Sequence, residues 1–170
     1  MTALEAWGWD PGWDAARKET PAAGGVPARV VSQHRDRWTV ESEAGRRVAR
    51  TPSSGQAVPR PVVGDWVLIE PGPTGEDPWS VLAVLPRRSA FVRAAAGTRL
   101  EAQAMAANVD RVWILHGLDV PPNARKLERY LAVAWESGAV PEVVLTKTDI
   151  AVDRDEAVDA SIRIIADHIK

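Results

Sequence analysis

The sequence contains no cysteine. Disulfides and thiolate metal sites are therefore excluded within these 170 residues, and a reducing cytoplasm suits such a chain. Histidine occurs only as His34, His116 and His168, too few for a His-rich metal site. Lysine is scarce as well: Lys18, Lys126, Lys147 and Lys170 are the whole set, and none follows a glycine. The Gly-Lys-Ser/Thr core of a phosphate-binding loop is thus missing. No apolar run approaches the roughly 18 residues of a membrane span. Glu5, Asp10 and Asp14 interrupt the N-terminus, which does not read as a secretion signal. What remains is a composition of 45% hydrophobic and 26% charged residues, that of a soluble globular protein with one medium or two small domains.

The formal net charge of −2 conceals an uneven distribution. Residues 26–100 carry 11 basic against 7 acidic side chains, and every one of the 11 is arginine. Residues 101–170 carry 8 against 12. Arginine suits phosphate contact and stacking on bases, although a solvated arginine-rich surface has the same composition.

Residues 1–25 read as an arm. Trp7, Trp9 and Trp13 stand among Gly8, Pro11 and Gly12, and Pro21 to Gly25 follows, a composition that argues against a long regular element. The tryptophans are expected to pack on the next domain, with contact to a partner as the alternative. From Val26 to Leu85 the pattern is that of strands, at Ala28–Gln33, Arg37–Glu43, Arg46–Thr51, Asp65–Glu70 and Trp79–Leu85. Trp38, Val40 and Ser42 alternate with Arg37, Thr39 and Glu41, and Glu43 to Arg46 suits a hairpin turn. Five short strands predict a small closed barrel over 26–86, since closure removes exposed edges. The five-stranded oligonucleotide/oligosaccharide-binding (OB) barrel is the economical choice, and an SH3-like barrel the alternative. Pro52 to Pro61 is expected as a long loop, and residues 87–108 as a linker.

Residues 109–170 read as α/β. Val109–Leu115 predicts a strand. A helix from about Asn123, its cap, to Ser137 follows, with Leu127, Tyr130, Leu131, Ala134 and Trp135 on one face and Gly138 ending it. Val140–Leu145 predicts a second strand, parallel to the first. Asp153 and Glu156 open a last helix with an apolar stripe of Val158, Ile162, Ile165 and Ile169. Two parallel strands bury little, so this half resembles the opening part of a larger α/β domain.

The second strand runs straight into Thr146-Lys147-Thr148-Asp149. Ligands of open α/β sheets bind beyond the carboxyl ends of strands, which is where these four residues lie. The Asp149 carboxylate can accept hydrogen bonds from both N1–H and the 2-amino group of guanine. Adenine has an acceptor at N1 and no 2-amino group, and would leave that carboxylate unpaired. The aliphatic stem of Lys147 can lie along the base with its ammonium in water. The Thr146 hydroxyl can bind the backbone of a neighbouring loop. A helix-capping turn is the plainer reading of the same four residues.

In chain order, several stretches resemble the RsgA family, also called YjeQ or EngC, the ribosome small-subunit-dependent, circularly permuted GTPases. They are Pro61-Val62-Val63-Gly64-Asp65-Trp66-Val67, Pro86-Arg87-Arg88-Ser89-Ala90-Phe91-Val92-Arg93, Glu101 to Asp110 with its Gln-x-x-Ala-Ala-Asn-Val-Asp run, Arg129-Tyr130-Leu131, and Val144 to Asp149. The resemblance covers roughly residues 26–152 and concerns the N-terminal portion of such a protein. It implies an OB barrel that contacts small-subunit rRNA. The opening βαβ part of a permuted GTPase domain follows, with the guanine element ahead of the phosphate loop. It implies GTP or GDP as ligand, a role in late maturation of the small subunit, a cytoplasmic location and a monomeric parent. Self-association stands as an alternative for a chain of this length. The family's phosphate loop, Mg²⁺ ligands and Cys/His zinc site find no match in these residues, and the run from Ala160 to Lys170 does not resemble the family. Positioning of the γ-phosphate supplies most of the catalysis in phosphoryl transfer, so these residues alone should not hydrolyse GTP, and no catalytic or metal residue is assigned.

The candidate guanine-binding residues are Thr146, Lys147 and Asp149. The RNA-binding candidates are Arg29, Arg35, Arg37, Arg46, Arg47, Arg50 and Arg60. Trp38, Trp66 and Trp79 could stack on bases, but strand tryptophans of a small barrel are expected in its core. The competing reading is a stand-alone RNA-binding OB module carrying a structural α/β remnant.

Overall fold

The computed structural model describes residues 2–52, 58–74, 77–93 and 103–166. The chain divides into two units after Asn108.

In the first unit, five strands close into a barrel in the order β1-β2-β3-β5-β4. They are β1 (Val26–His34), β2 (Arg37–Ser42), β3 (Gly45–Arg50), β4 (Trp66–Glu70) and β5 (Trp79–Val84). All pairs are antiparallel except β3 with β5, and β4 closes back on β1, which is the OB arrangement. The β2–β3 turn falls where expected: Ser42 pairs with Gly45, and Gly45 takes φ 84°, a value that a glycine adopts without a Cβ clash. Alternation along the strands sends Ala28, Val30, Trp38, Val40, Ala49, Val67, Ile69 and Val81 into one core. The Trp38 indole donates to the Pro61 carbonyl at 2.9 Å, so its polar atom is satisfied inside.

Strand β4 reads Trp-Val-Leu-Ile without alternation because both of its faces are covered. Val67 and Ile69 point into the barrel, whereas Trp66 and Leu68 join Leu4, Trp13 and Leu85 in a second core outside it. The N-terminal arm builds that outer core with two short helices, α1 (Ala3–Ala6) and α2 (Pro11–Lys18). Thr2 and Glu5 form a capping box on α1. Asp10 caps α2, with proline at its first position, where a missing N–H costs nothing. Trp9 meets Trp66 edge to face at 4.8 Å and Trp13 lies 6.2 Å from it. Arg88 spans Asp10 with two hydrogen bonds of 2.5 and 2.7 Å and lies over the Trp13 ring. The packing expected of the arm holds for Trp9 and Trp13. Trp7 is exposed, and its backbone carbonyl rather than its ring is engaged.

The segment 87–108, expected as a linker, instead carries strands β6 (Ala90–Arg93) and β7 (Gln103–Ala107), antiparallel to each other. Val63 bridges to Ala106, and the Ala107 N–H donates to the Val63 carbonyl at 2.9 Å. At Gly64 the chains come so close that a Cβ would lie 1.9 Å from the Ala107 carbonyl oxygen. Beside this contact Asp65, with no exposed surface, receives two hydrogen bonds from Arg87 (2.8 and 2.7 Å) and one from the Val62 N–H (2.8 Å). Asn108 ties the ends together: its side chain accepts from the Arg88 N–H and donates to the Gly64 carbonyl, and its own carbonyl accepts from Arg29. The Gly-Asp, Arg-Arg and Asn of the family-like stretches are thus one structural lock. Residues 53–57 of the Pro52–Pro61 loop and residues 94–102 lie outside the described residues.

The second unit is a βαβ unit with a further helix: β8 (Arg111–Gly117), α3 (Ala124–Glu136), β9 (Val140–Thr146) and α4 (Arg154–Ala166). β8 starts two residues later than the apolar run suggests and is parallel to β9. Asn123 caps α3 through the Lys126 N–H at 3.0 Å, and Gly138 follows its end with φ 85°. Ile114, Leu127 and Leu131 form the core, with Val112, Val143, Ile164 and Ile165 around it. Two expected core faces are narrower than the periodicity implies. Tyr130 and Trp135 are exposed on α3. On α4 Ile162 is exposed, while Ser161 is buried and donates to the Ala157 carbonyl; Ile169 lies outside the described residues. The opposite face of the sheet is open: Trp113 is 69% and Leu115 66% exposed.

Candidate functional site

The register Gly117 to Thr146 brings the carboxyl ends of β8 and β9 together. The Thr146 hydroxyl donates to the His116 carbonyl at 3.3 Å, and the Thr146 carbonyl accepts from the Leu118 N–H at 2.9 Å. The two strand ends are therefore braced across the sheet, with the hydroxyl on backbone of the neighbouring strand. Lys147 then adopts φ 59°, a left-handed conformation uncommon for a residue with a Cβ. The Ile150 N–H donates to the Lys147 carbonyl at 3.3 Å and closes a turn around Thr148 and Asp149.

The Lys147 ammonium is 2.5 Å from Asp119 Oδ2. That hydrogen bond, with the positive charge behind it, holds the Asp119 carboxyl below the usual carboxylate range. The Lys147 stem passes over Gly117, where a Cβ would stand 3.3 Å from Lys147 Cδ and 2.5 Å from Asp119 Oδ1. Asp119 was not among the expected site residues. Its loop reads as an ordinary turn, and only the pairing of β8 with β9 brings it to Lys147. The glycine two positions earlier is the one local hint.

Asp149 is exposed, and among the described residues its carboxylate has no hydrogen-bond or ion-pair partner. It does not cap the following helix either. That role belongs to Asp153, which accepts from the Glu156 N–H at 3.1 Å. A cleft of about 450 Å³ opens beside the turn, lined by His116, Asp119, Lys126, Tyr130, Thr146 and Lys147 among others. Thr148 and Asp149 are not in its lining, so Asp149 stands outside the cleft. The chemistry available is an aliphatic stem whose ammonium is held by Asp119 and, two residues on, an exposed carboxylate that can accept two hydrogen bonds. Among the described residues no group of three or more His, Asp or Glu side chains is placed to hold a metal.

The seven arginines of the barrel separate into two sets. Arg29 donates to the carbonyls of Trp7 and Asn108 and lies over the Trp66 ring, a structural position. Arg46 is paired with Glu41 at 2.6 Å, and Arg47 lies over Trp79 while donating to the Arg46 carbonyl. The other four are exposed and form no ion pair among the described residues. Arg35 sits in the β1–β2 turn with φ 56°, and Arg60 donates to its carbonyl at 2.6 Å. Arg37 and Arg50 are cross-strand partners next to that turn. Arg35, Arg37, Arg50 and Arg60 therefore gather at one end of the barrel, with Asp36 as the acidic residue of the turn. Trp38 and Trp66 are buried in the two cores and cannot stack on a ligand; Trp79 is half-buried under Arg47.

Comparison with known proteins places this architecture. The family model described as RsgA GTPase matches residues 84–168. Over 154 residues the chain is 43% identical to the small ribosomal subunit biogenesis GTPase RsgA of Streptomyces coelicolor, covering 89% of this chain and 41% of that protein. The protein of the same name from Xanthomonas campestris is 41% identical over 154 residues, covering 84% of this chain and 40% of its own length. In fold, the chain is similar to the crystal structure of YjeQ from Thermotoga maritima, with TM-score 0.63, 23% identity and coverage of 85% of this chain and 49% of that one. It is also similar to YloQ, a circularly permuted GTPase, with TM-score 0.60, 17% identity and coverage of 84% and 47%. The chain spans about two fifths of the length of these curated relatives. With the barrel, the βαβ unit and the motif order in agreement, this chain belongs to the RsgA GTPase family.

Proposed function

We propose that this chain supplies guanine recognition and RNA contact to a GTPase acting in assembly of the small ribosomal subunit. The observation that carries the reading is the turn after β9. There Thr146 and Lys147 are immobilised by the neighbouring strand end while the Asp149 carboxylate is left free. A braced loop with one uncommitted bidentate acceptor suits a base that presents two adjacent donors, as guanine does. The names of the relatives are the reason for specifying GTP and the small subunit. Within these residues the base contact stands without a Gly-Lys-Ser/Thr loop. The expected activity of the chain alone is weak guanine-nucleotide binding without hydrolysis. Calorimetric titration with GDP and ADP tests this. GDP should bind more tightly, and Asp149→Ala should remove the difference; equal affinities in the unaltered chain would refute it.

The barrel end bearing Arg35, Arg37, Arg50 and Arg60 supports the RNA part of the reading. Four exposed arginines with no ion pair among the described residues suit a phosphate backbone. Binding of an RNA oligonucleotide, followed by fluorescence anisotropy, should weaken steeply between about 50 and 200 mM salt. Substituting these four by alanine should abolish it, whereas Arg46→Ala, already committed to Glu41, should change little. Salt-insensitive binding, or equal losses from both variants, would remove RNA from the proposal.

A further inference from the structure

We propose that Asp119 is a positioning residue of the base site. It holds the Lys147 stem across Gly117 and occupies the Lys147 ammonium, so that the loop presents a fixed apolar surface beside one free carboxylate, Asp149. The proposal rests on the guanine reading above and adds to it a residue from a different loop.

Three observations converge. The Lys147 ammonium lies 2.5 Å from Asp119 Oδ2, although the Lys147 side chain is 54% exposed and water is available to it. The two side chains cross over Gly117, where a Cβ would press on both, so the crossing depends on a glycine at that position. The Lys147 backbone, meanwhile, is left-handed and its neighbour Thr146 is braced to His116, so the root of the side chain is set by the strand end.

The consequence is preorganisation. A lysine stem has many rotamers, and a base that packs on it must freeze them. A stem already held by Asp119 removes that cost from binding. The pair also decides charge. An unoccupied ammonium two residues from Asp149 is a candidate partner for that carboxylate, and such a contact would consume the acceptor the base needs. With Asp119 holding the ammonium, Asp149 keeps both oxygens available. An exposed ion pair of this kind often contributes little to folding, so its effect belongs in binding rather than in stability.

The test uses the full chain, isotopically labelled, as Asp119→Asn and Asp119→Glu beside the unaltered protein, with an amide spectrum to verify the fold. In the unaltered chain the Lys147 ε-methylene protons should be inequivalent. Asp119→Asn should collapse that inequivalence and Asp119→Glu should restore part of it. The GDP-over-ADP affinity ratio should fall about fivefold in Asp119→Asn and recover partly in Asp119→Glu. Unchanged Lys147 signals in Asp119→Asn overturn the positioning role whatever the nucleotide data. A GDP-over-ADP ratio that survives Asp119→Asn yet collapses in Asp149→Ala overturns it too, while leaving guanine recognition intact. No preference for GDP in the unaltered chain, with Asp149→Ala without effect, brings down the guanine reading and this inference together.

Discussion

The two units use opposite strategies for their hydrogen-bonding edges and apolar faces. The barrel closes on itself, and its most apolar strand, β4, is covered inside by the barrel core and outside by the tryptophans of the arm. The βαβ unit covers one face of a two-stranded parallel sheet and leaves Trp113 and Leu115 in water. Parallel sheets are normally covered on both faces. The comparison teaches where each unit can tolerate change: the first is determined by close contacts with no slack, the second by a modest core with one free side.

That contrast can be broken or sharpened by substitution. The largest effect is expected at the ion pair between buried Asp65 and partly exposed Arg87 of the first unit. Asp65→Ala strands Arg87 and the Val62 N–H, and should cost about 3–5 kcal/mol, read as a fall in the urea midpoint. Gly64→Ala comes next, at about 3 kcal/mol. It combines a positive φ of 91° with a Cβ driven onto the Ala107 carbonyl, which is backbone and cannot move aside.

A smaller effect, and one with a pH signature, is expected at the arm. The Arg88 hydrogen bonds hold the Asp10 carboxyl down at about 2 against an ordinary value of 3.8. Because the folded value is the lower one, the contribution is complete above pH 4 and is lost as pH falls toward 2. Asp10→Asn keeps a capping side chain but loses the ion pair. It should destabilise by at most about 1 kcal/mol near pH 7, since the pair is exposed, and by progressively less in acid. Denaturant curves at pH 7, 4 and 2.5 check the sign. The smallest effect belongs to the open face of the second unit: Trp113→Ser should change stability by no more than about 0.5 kcal/mol, since the ring buries little. A loss of 2 kcal/mol or more there would mean that this face is covered in solution.

Much of this architecture is legible in the residues because it rests on local rules. The alternation of Trp38, Val40 and Ser42, the glycine of the β2–β3 turn, the Asn123 cap and the Gly138 stop all act within a few residues of themselves. The β6–β7 pair was not legible, because β6 is only four residues long, β7 is alanine-rich with little strand signal, and β7 is tied to Val63 far back in the chain. The face of α3 was overestimated for a similar reason. The period shows which residues share a side of the helix, but the width of the stripe that is covered depends on what packs there, and Tyr130 and Trp135 fall outside it.

The site divides in the same way. Thr146, Lys147 and Asp149 fall within four consecutive residues at the end of β9, so their types and spacing mark them as candidates, and the resemblance over roughly residues 26–152 adds the order of the motifs. The arginine composition of residues 26–100 was equally visible. Which arginines lack an ion pair or ring partner was not, because Glu41, Trp66, Trp79 and Asn108 engage three of the seven through tertiary contacts. By itself, then, the sequence determined the strand and helix pattern, the barrel and the guanine-like turn, all of which follow from side-chain period and neighbouring residues. Only the tertiary structure decided that Asp119 holds Lys147 and that the supposed linker is locked to the barrel. Each of these depends on a distance between groups remote in the chain, and no local pattern encodes such a distance.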